Sequence, residues 1–149
     1  MKRQLFFFTV ITLIIAFAAC STPRQEFTIV NDTDADLIVQ YSYVDKKRII
    51  YKPRVTAAEK VDEPGKKWRE ISTKYFDVDG DTRVVSVKID PHEALLLNTE
   101  ENYEGPKSKD FPINMISLLG KSGNKLFEKE DVQTAFEKQP NGNYAIFYK

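Results

Sequence analysis

The chain has 149 residues, with 22 basic and 22 acidic side chains and a formal net charge of zero. That length suits one domain and is short for two, and the even charge balance excludes the strongly positive field that nucleic-acid binding needs. Hydrophobic residues at 42% and charged residues at 30% are the proportions of a folded domain, not of a disordered chain.

Lys2 and Arg3 precede an apolar run over residues 5–17, interrupted by Thr9 and Thr12, and Ala18-Ala19-Cys20 follows it. Positive charge, apolar core and small residues, in that order, make a secretory signal. The run is about a dozen residues long, whereas crossing a ~30 Å hydrocarbon core takes roughly 20 helical residues. A cleaved signal therefore fits better than a permanent transmembrane helix.

Ala18-Ala19-Cys20 after such a run resembles the lipobox of bacterial lipoproteins, with Phe17 where that family usually carries Leu. The resemblance implies that the Cys20 thiol takes a diacylglycerol. It also implies that residues 1–19 are removed as a signal peptide and that the new amino group is often acylated too. Cys20 is the only cysteine, and an unpaired cysteine in an exported chain is unusual without such a use. Several acyl chains, at about 0.8 kcal/mol per buried CH₂, anchor a protein stably where one does not. An ordinary signal peptide cut after Ala18 or Ala19 would instead leave a free thiol. Ser21, in place of Asp, resembles the class carried to the outer membrane. The expected position is then its periplasmic face, or the outer leaflet of the cell membrane in a single-membrane bacterium. Loss of Lys2 and Arg3 leaves the mature chain with a net charge near −2. The resemblance covers residues 1 to about 21 and implies nothing about the mature fold.

Residues 20–26 read as a lipidated polar tether containing Pro23, with a reach of at most roughly 20 Å. Residues 27–149 read as a single β-rich domain. Phe27 and Ile29 open a first strand, and residues 31–36 carry turn chemistry. Leu37, Val39, Tyr41 and Tyr43 then share one face of a second strand, with Gln40 and Ser42 on the other. A short strand is expected at residues 49–51, ended by Pro53. Residues 56–67 read as a polar loop and residues 68–78 as one strand. Asp79-Gly80 signals a hairpin, with Val85, Val87 and Ile89 alternating on the returning strand until Asp90-Pro91. Residues 94–97 form an apolar run suited to a strand buried on both faces.

Residues 98–112 read as a long polar loop, 113–119 as a strand and 120–124 as a turn. A helix is expected over 130–138, because Val132, Ala135 and Phe136 fall at helical spacing and Glu130 and Asp131 suit its positive end. Tyr144, Ile146 and Tyr148 alternate along a terminal strand. The sum is an antiparallel β-sandwich, Ig-like or a small barrel, of about seven to eight strands with one short helix. It lacks the cysteine pair of antibody domains.

The chemistry-bearing residues are sparse. Asp32, Asp34 and Asp36, and again Asp77, Asp79 and Asp81, have a spacing that can offer carboxylates to calcium, yet neither run has the glycine and glutamate an EF-hand requires. They read first as acidic turns, and no metal or cofactor is expected. His92 is the only histidine and sits in a turn sequence, with no nucleophile motif around it. Glu100, Glu101 and Glu104 cluster in the polar loop, a poor place for the dry carboxyl that glycoside hydrolysis uses. Lys46, Lys47 and Arg48, with Lys52 and Arg54, flank Tyr51, and Lys66, Lys67 and Arg69 flank Trp68. These basic clusters are either solvated strand edges or contacts for a polyanion.

The expected function is a non-enzymatic envelope lipoprotein, joined to the membrane through Cys20, whose sandwich binds or scaffolds an envelope protein or wall polymer. The alternative is a small envelope hydrolase using His92 or the loop carboxylates.

Overall fold

A computed structural model of the chain describes residues 24–44, 53–63, 66–72, 76–79, 84–101 and 111–149. The signal segment, Cys20, Lys46, Lys47, Arg48, Asp81, Glu104 and the strand expected at residues 49–51 lie outside the described residues.

The strands are β1 (Arg24–Asn31), β2 (Leu37–Tyr43), β3 (Arg54–Ala57), β4 (Arg69–Glu70), β5 (Phe76–Val78), β6 (Val84–Ile89), β7 (Glu93–Glu101), β8 (Ile113–Gly120), β9 (Gly123–Glu128), β10 (Glu137–Lys138) and β11 (Tyr144–Tyr148). The helix α1 spans Glu130–Thr134, and a 3-10 turn spans Ala58–Lys60. One sheet has the order β10-β11-β1-β7-β3-β4 and the other β5-β6-β2-β8-β9. They form a β-sandwich with no closed barrel. Every described pairing is antiparallel except β1 with β11.

Alternation along the strands builds the core. Phe27 and Ile29 of β1, Leu95 and Leu97 of β7, and Tyr144, Ile146 and Tyr148 of β11 meet Leu37, Val39, Tyr41 and Tyr43 of β2 and Val85, Val87 and Ile89 of β6 in one cluster. Full burial of such side chains contributes about 1.5–3 kcal/mol each. Where β1 enters the sandwich, the Phe27 ring stacks on Tyr144 at 5.1 Å and meets Phe111 and Phe136 edge-on at 5.1 and 5.3 Å. This aromatic plug closes the end of the sandwich at which β1 starts. At the opposite end the fully buried Asn31 donates from Nδ2 to the carbonyls of Ala35 and Asp90 and accepts from Thr33, tying the 31–36 turn to the 90–93 turn.

Tyr148 crosses between the sheets, its hydroxyl donating to the Gly123 carbonyl at 2.7 Å. Its ring leaves no room at Gly120, where a Cβ would lie 2.6 Å from that hydroxyl. Gly123 takes φ 120° in the two-residue turn joining β8 to β9, a backbone region that glycine enters freely.

Five expectations need correction. The first strand begins at Arg24, so residues 24–26 belong to the sheet and not to the tether. The strand expected over 68–78 divides into β4 and β5, which lie in different sheets, with Ile71 buried between them; a period of two cannot tell one strand from two that change sheets. The loop expected at 98–112 gives up residues 98–101 to β7. The helix stops at Thr134, because Phe136 turns into the aromatic plug and Glu137 and Lys138 pair with β11. Strand β9 was not expected, since almost every side chain on it is exposed and leaves no alternating signal.

Candidate functional site

The feature that stands apart from the sandwich core is a strap. The polar loop expected at residues 56–67 gives up residues 56–57 to β3, and residues 58–63 and 66–68 lie over the outer face of the six-stranded sheet. Val61 is buried there against Val30, Ala94 and Ala145, with Ala58, Trp68 and Phe147 packed around them. β1, β7 and β11 present these side chains because alternate residues of a strand point to opposite faces. The Val30↔Ala94 and Thr28↔Ala145 registers bring them together.

The strap is fastened at several points. The Ala58 amide donates to the His92 carbonyl at 2.8 Å, and Asn141 Nδ2 donates to Asp62 at 3.1 Å. Trp68 Nε1 donates to Glu26 Oε1 at 3.1 Å. Lys66 Nζ lies 2.6 Å from Glu26 Oε2 and 5.5 Å from the centre of the Trp68 ring. The Lys66 side chain is only 7% exposed and that of Glu26 22%. Glu26 is itself held by the bond from its amide to Asn143 Oδ1. An ammonium this buried needs its partner, since an unpaired buried charge is costly.

Between the strap and the β3–β4 border lies an open cleft of about 390 Å³. β4 pairs with β3 only at Arg54 and Val55. Beyond that point the chain leaves β3, and the gap is the cleft. Lys60, Lys66, Lys67 and Arg69 line it, together with Glu63, Glu93, Val55, Thr56 and Ala57. Arg69 Nη2 donates to Glu93 Oε1 at 2.6 Å and Lys66 is ion-paired with Glu26, so these two cations are neutralised. Lys60 and Lys67 are exposed and form no ion pair among the described residues.

Lys66, Lys67 and Arg69 thus line one cleft. The structure adds Lys60, which only the course of the strap could reveal. It also shows that two of the three named cations serve the fold first.

The acidic candidates do not converge. Asp34 Oδ1 lies 2.9 Å from His92 Nε2 at the surface, Asp36 pairs with Lys88 at 2.5 Å, and Asp77 accepts from the Val78 amide. Asp79 sits at the β5–β6 hairpin, its amide donating to Val84. Among the described residues no group of three or more His, Cys, Asp and Glu is placed to hold a metal. His92 occupies the turn residue with φ 54° and is 59% exposed. Glu100 and Glu101 end β7, and Glu100 Oε1 accepts from Asn98 at 2.6 Å.

Two of the buried tyrosines, Tyr41 and Tyr43, stand out for their hydroxyls. Burial pushes the hydroxyls of Tyr41 and Tyr43 well above the ordinary tyrosine range, and for Tyr43 the neighbouring Tyr41 and Glu100 add to it. Tyr43 donates to the Leu97 carbonyl at 2.6 Å, whereas the Tyr41 hydroxyl has no partner among the described residues.

Among the described residues no helix is long and apolar enough to cross a membrane. Compared with protein-family models, curated proteins and solved structures, the chain matches none.

Proposed function

We propose that this chain is a bacterial lipoprotein, anchored through acylated Cys20 at the periplasmic face of the outer membrane, whose β-sandwich is a non-catalytic domain that binds an envelope partner. The observation that carries the reading is the join between the lipobox and the sheet. β1 begins at Arg24 and is paired on both sides, with β7 and β11. Only residues 21–23 separate Cys20 from it. Four Cα steps span at most about 14 Å. The lipid therefore pulls on an interior strand through a very short leash, and the domain is held against its own membrane. This geometry suits a part fixed in place at the surface.

The test is Cys20→Ser in the producing cell. The expected outcome is loss of acyl mass from the mature N-terminus, with the protein either uncleaved or released. Full membrane retention of a cleaved Cys20→Ser chain would sink the reading.

A further inference from the structure

The cleft beside the strap has more than charge. Along a strand, successive amides point to opposite neighbours. The Ala58 amide points toward β7, where it donates to the His92 carbonyl, and the Pro53 carbonyl points toward β4, where it accepts from Ile71. By that alternation the amide of Ala57 points away from β7, into the gap left where β4 ends. Ala57 lines the cleft, and β4, which pairs with β3 at Arg54 and Val55, does not extend to it. A strand-edge donor and two unpaired ammonium groups, Lys60 and Lys67, then face one volume of about 390 Å³. Lys66, neutralised by Glu26, and the Arg69–Glu93 pair form its walls. The one lining carboxylate outside those pairs is Glu63.

We infer that this cleft binds a phosphate-bearing ligand, with the Ala57 amide, Lys60 and Lys67 as its donors. The volume lies near the small end of the range for ligand sites, which excludes a folded partner as the occupant. Lysine ammoniums serve phosphate as point charges without demanding a planar fork. The proposal rests on the reading of the protein as an envelope lipoprotein for the source of the ligand and not for the site itself. A phospholipid headgroup and a soluble phosphate compound would use the same donors. Glu63 opposes any anion in the cleft, so it sets an upper limit on affinity that its neutral variant removes.

The experiment uses the full-length chain in non-ionic detergent. Inorganic phosphate is titrated at constant ionic strength, and in a second arm micelles are doped with phosphatidylglycerol. Trp68, the only tryptophan and the neighbour of Lys66, supplies the fluorescence signal, and calorimetry supplies an independent one. The expected result is saturable binding, about tenfold weaker in Lys60→Gln and again in Lys67→Gln, and tighter in Glu63→Gln. Binding in the phosphate arm alone assigns a soluble ligand, and binding of phosphatidylglycerol that phosphate displaces assigns a headgroup. No binding in either arm, or binding that Lys60→Gln and Lys67→Gln leave unchanged, overturns the site. The acyl mass on Cys20 is read from the same preparation, so failure of the anchor and failure of the cleft are told apart.

Discussion

The outer face of the six-stranded sheet carries Val30, Ala94 and Ala145, and Ala58, Val61 and Trp68 of the strap pack over them. The outer face of the five-stranded sheet carries Gln40, Ser42, Ser86 and Ser117 in the middle, with Ile38 and Leu126 41% and 59% exposed. One face is a second core of small apolar residues under a strap, and the other is a thinly polar surface. The difference begins in the strands. β1 and β7 bury residues on both faces in succession, Phe27 to Asn31 and Ala94 to Leu97. β2 alternates buried with partly or well exposed positions along its whole length. A strand buried on both faces demands a second layer, whereas an alternating strand does not. The strap is that second layer, and the cleft exists because the strap must leave the sheet to provide it.

The largest effect is expected where the strap is latched. Glu26→Ala strands the Lys66 ammonium beside Trp68, and removing one partner of a buried pair typically costs about 3 kcal/mol or more. Trp68→Ala removes the ring that covers this pair and packs on the second core, with a loss of about 3 kcal/mol. Urea unfolding reads both. Limited proteolysis should cut within residues 58–68 in the variants before it cuts elsewhere. Equal stability of Glu26→Ala and the parent would mean that the two outer faces are equivalent after all.

A middle-sized effect separates Tyr41 from Tyr43, neighbours on the inner face of β2. Tyr43→Phe loses the bond to the Leu97 carbonyl and leaves that acceptor bare, a cost of about 1–2 kcal/mol. Tyr41→Phe removes a buried hydroxyl with no partner among the described residues, so it is expected to gain about 1 kcal/mol. The two should shift the urea midpoint in opposite directions. The pH dependence has a definite sign. Both folded-state pKa values are raised above the ordinary 10.0, so the neutral forms favour the fold. Their stabilisation is fully present below about pH 10 and is lost as pH rises beyond it. The double phenylalanine variant should resist alkaline unfolding better than the parent, measured as the midpoint of a base titration.

The sequence already displayed the inner faces. Leu37, Val39, Tyr41 and Tyr43, then Val85, Val87 and Ile89, point inward as their spacing required, and residues 94–97 are buried on both faces. What it could not display was the partner of each outward residue. Val61 sits among charged neighbours and carries no periodic signal, because a strap is held by single anchors and not by a repeating face. Glu26 looked like the end of a polar tether, and only the folded course of the strap brings Trp68 and Lys66 to it. The parallel pairing of β1 with β11 joins the start of the domain to its end, and no local pattern encodes a contact that distant. Lys66, Lys67 and Arg69 were visible as a cluster, yet their division into latch, free donor and wall depends on where Glu26 and Glu93 fall.

The smallest effect belongs to the bare face of the five-stranded sheet, and its smallness is the informative part. Ile38 lies opposite Lys88 and Leu119, and Leu126 opposite Ser117, all on the outward side of the strands. Ile38→Thr and Leu126→Thr keep β-forming or tolerated side chains at half-exposed positions and open no cavity, so each should change unfolding stability by less than about 0.5 kcal/mol. The matching change on the strapped face, Val30→Thr, places a hydroxyl against Val61 and Ala145 and should cost about 1–2 kcal/mol, since a buried hydroxyl without a partner is expensive. Thermal unfolding of the three variants side by side measures the contrast directly. A loss at Leu126 as large as the loss at Val30 would show that something covers β9 in solution, and that its row of edge amides is not left to solvent alone.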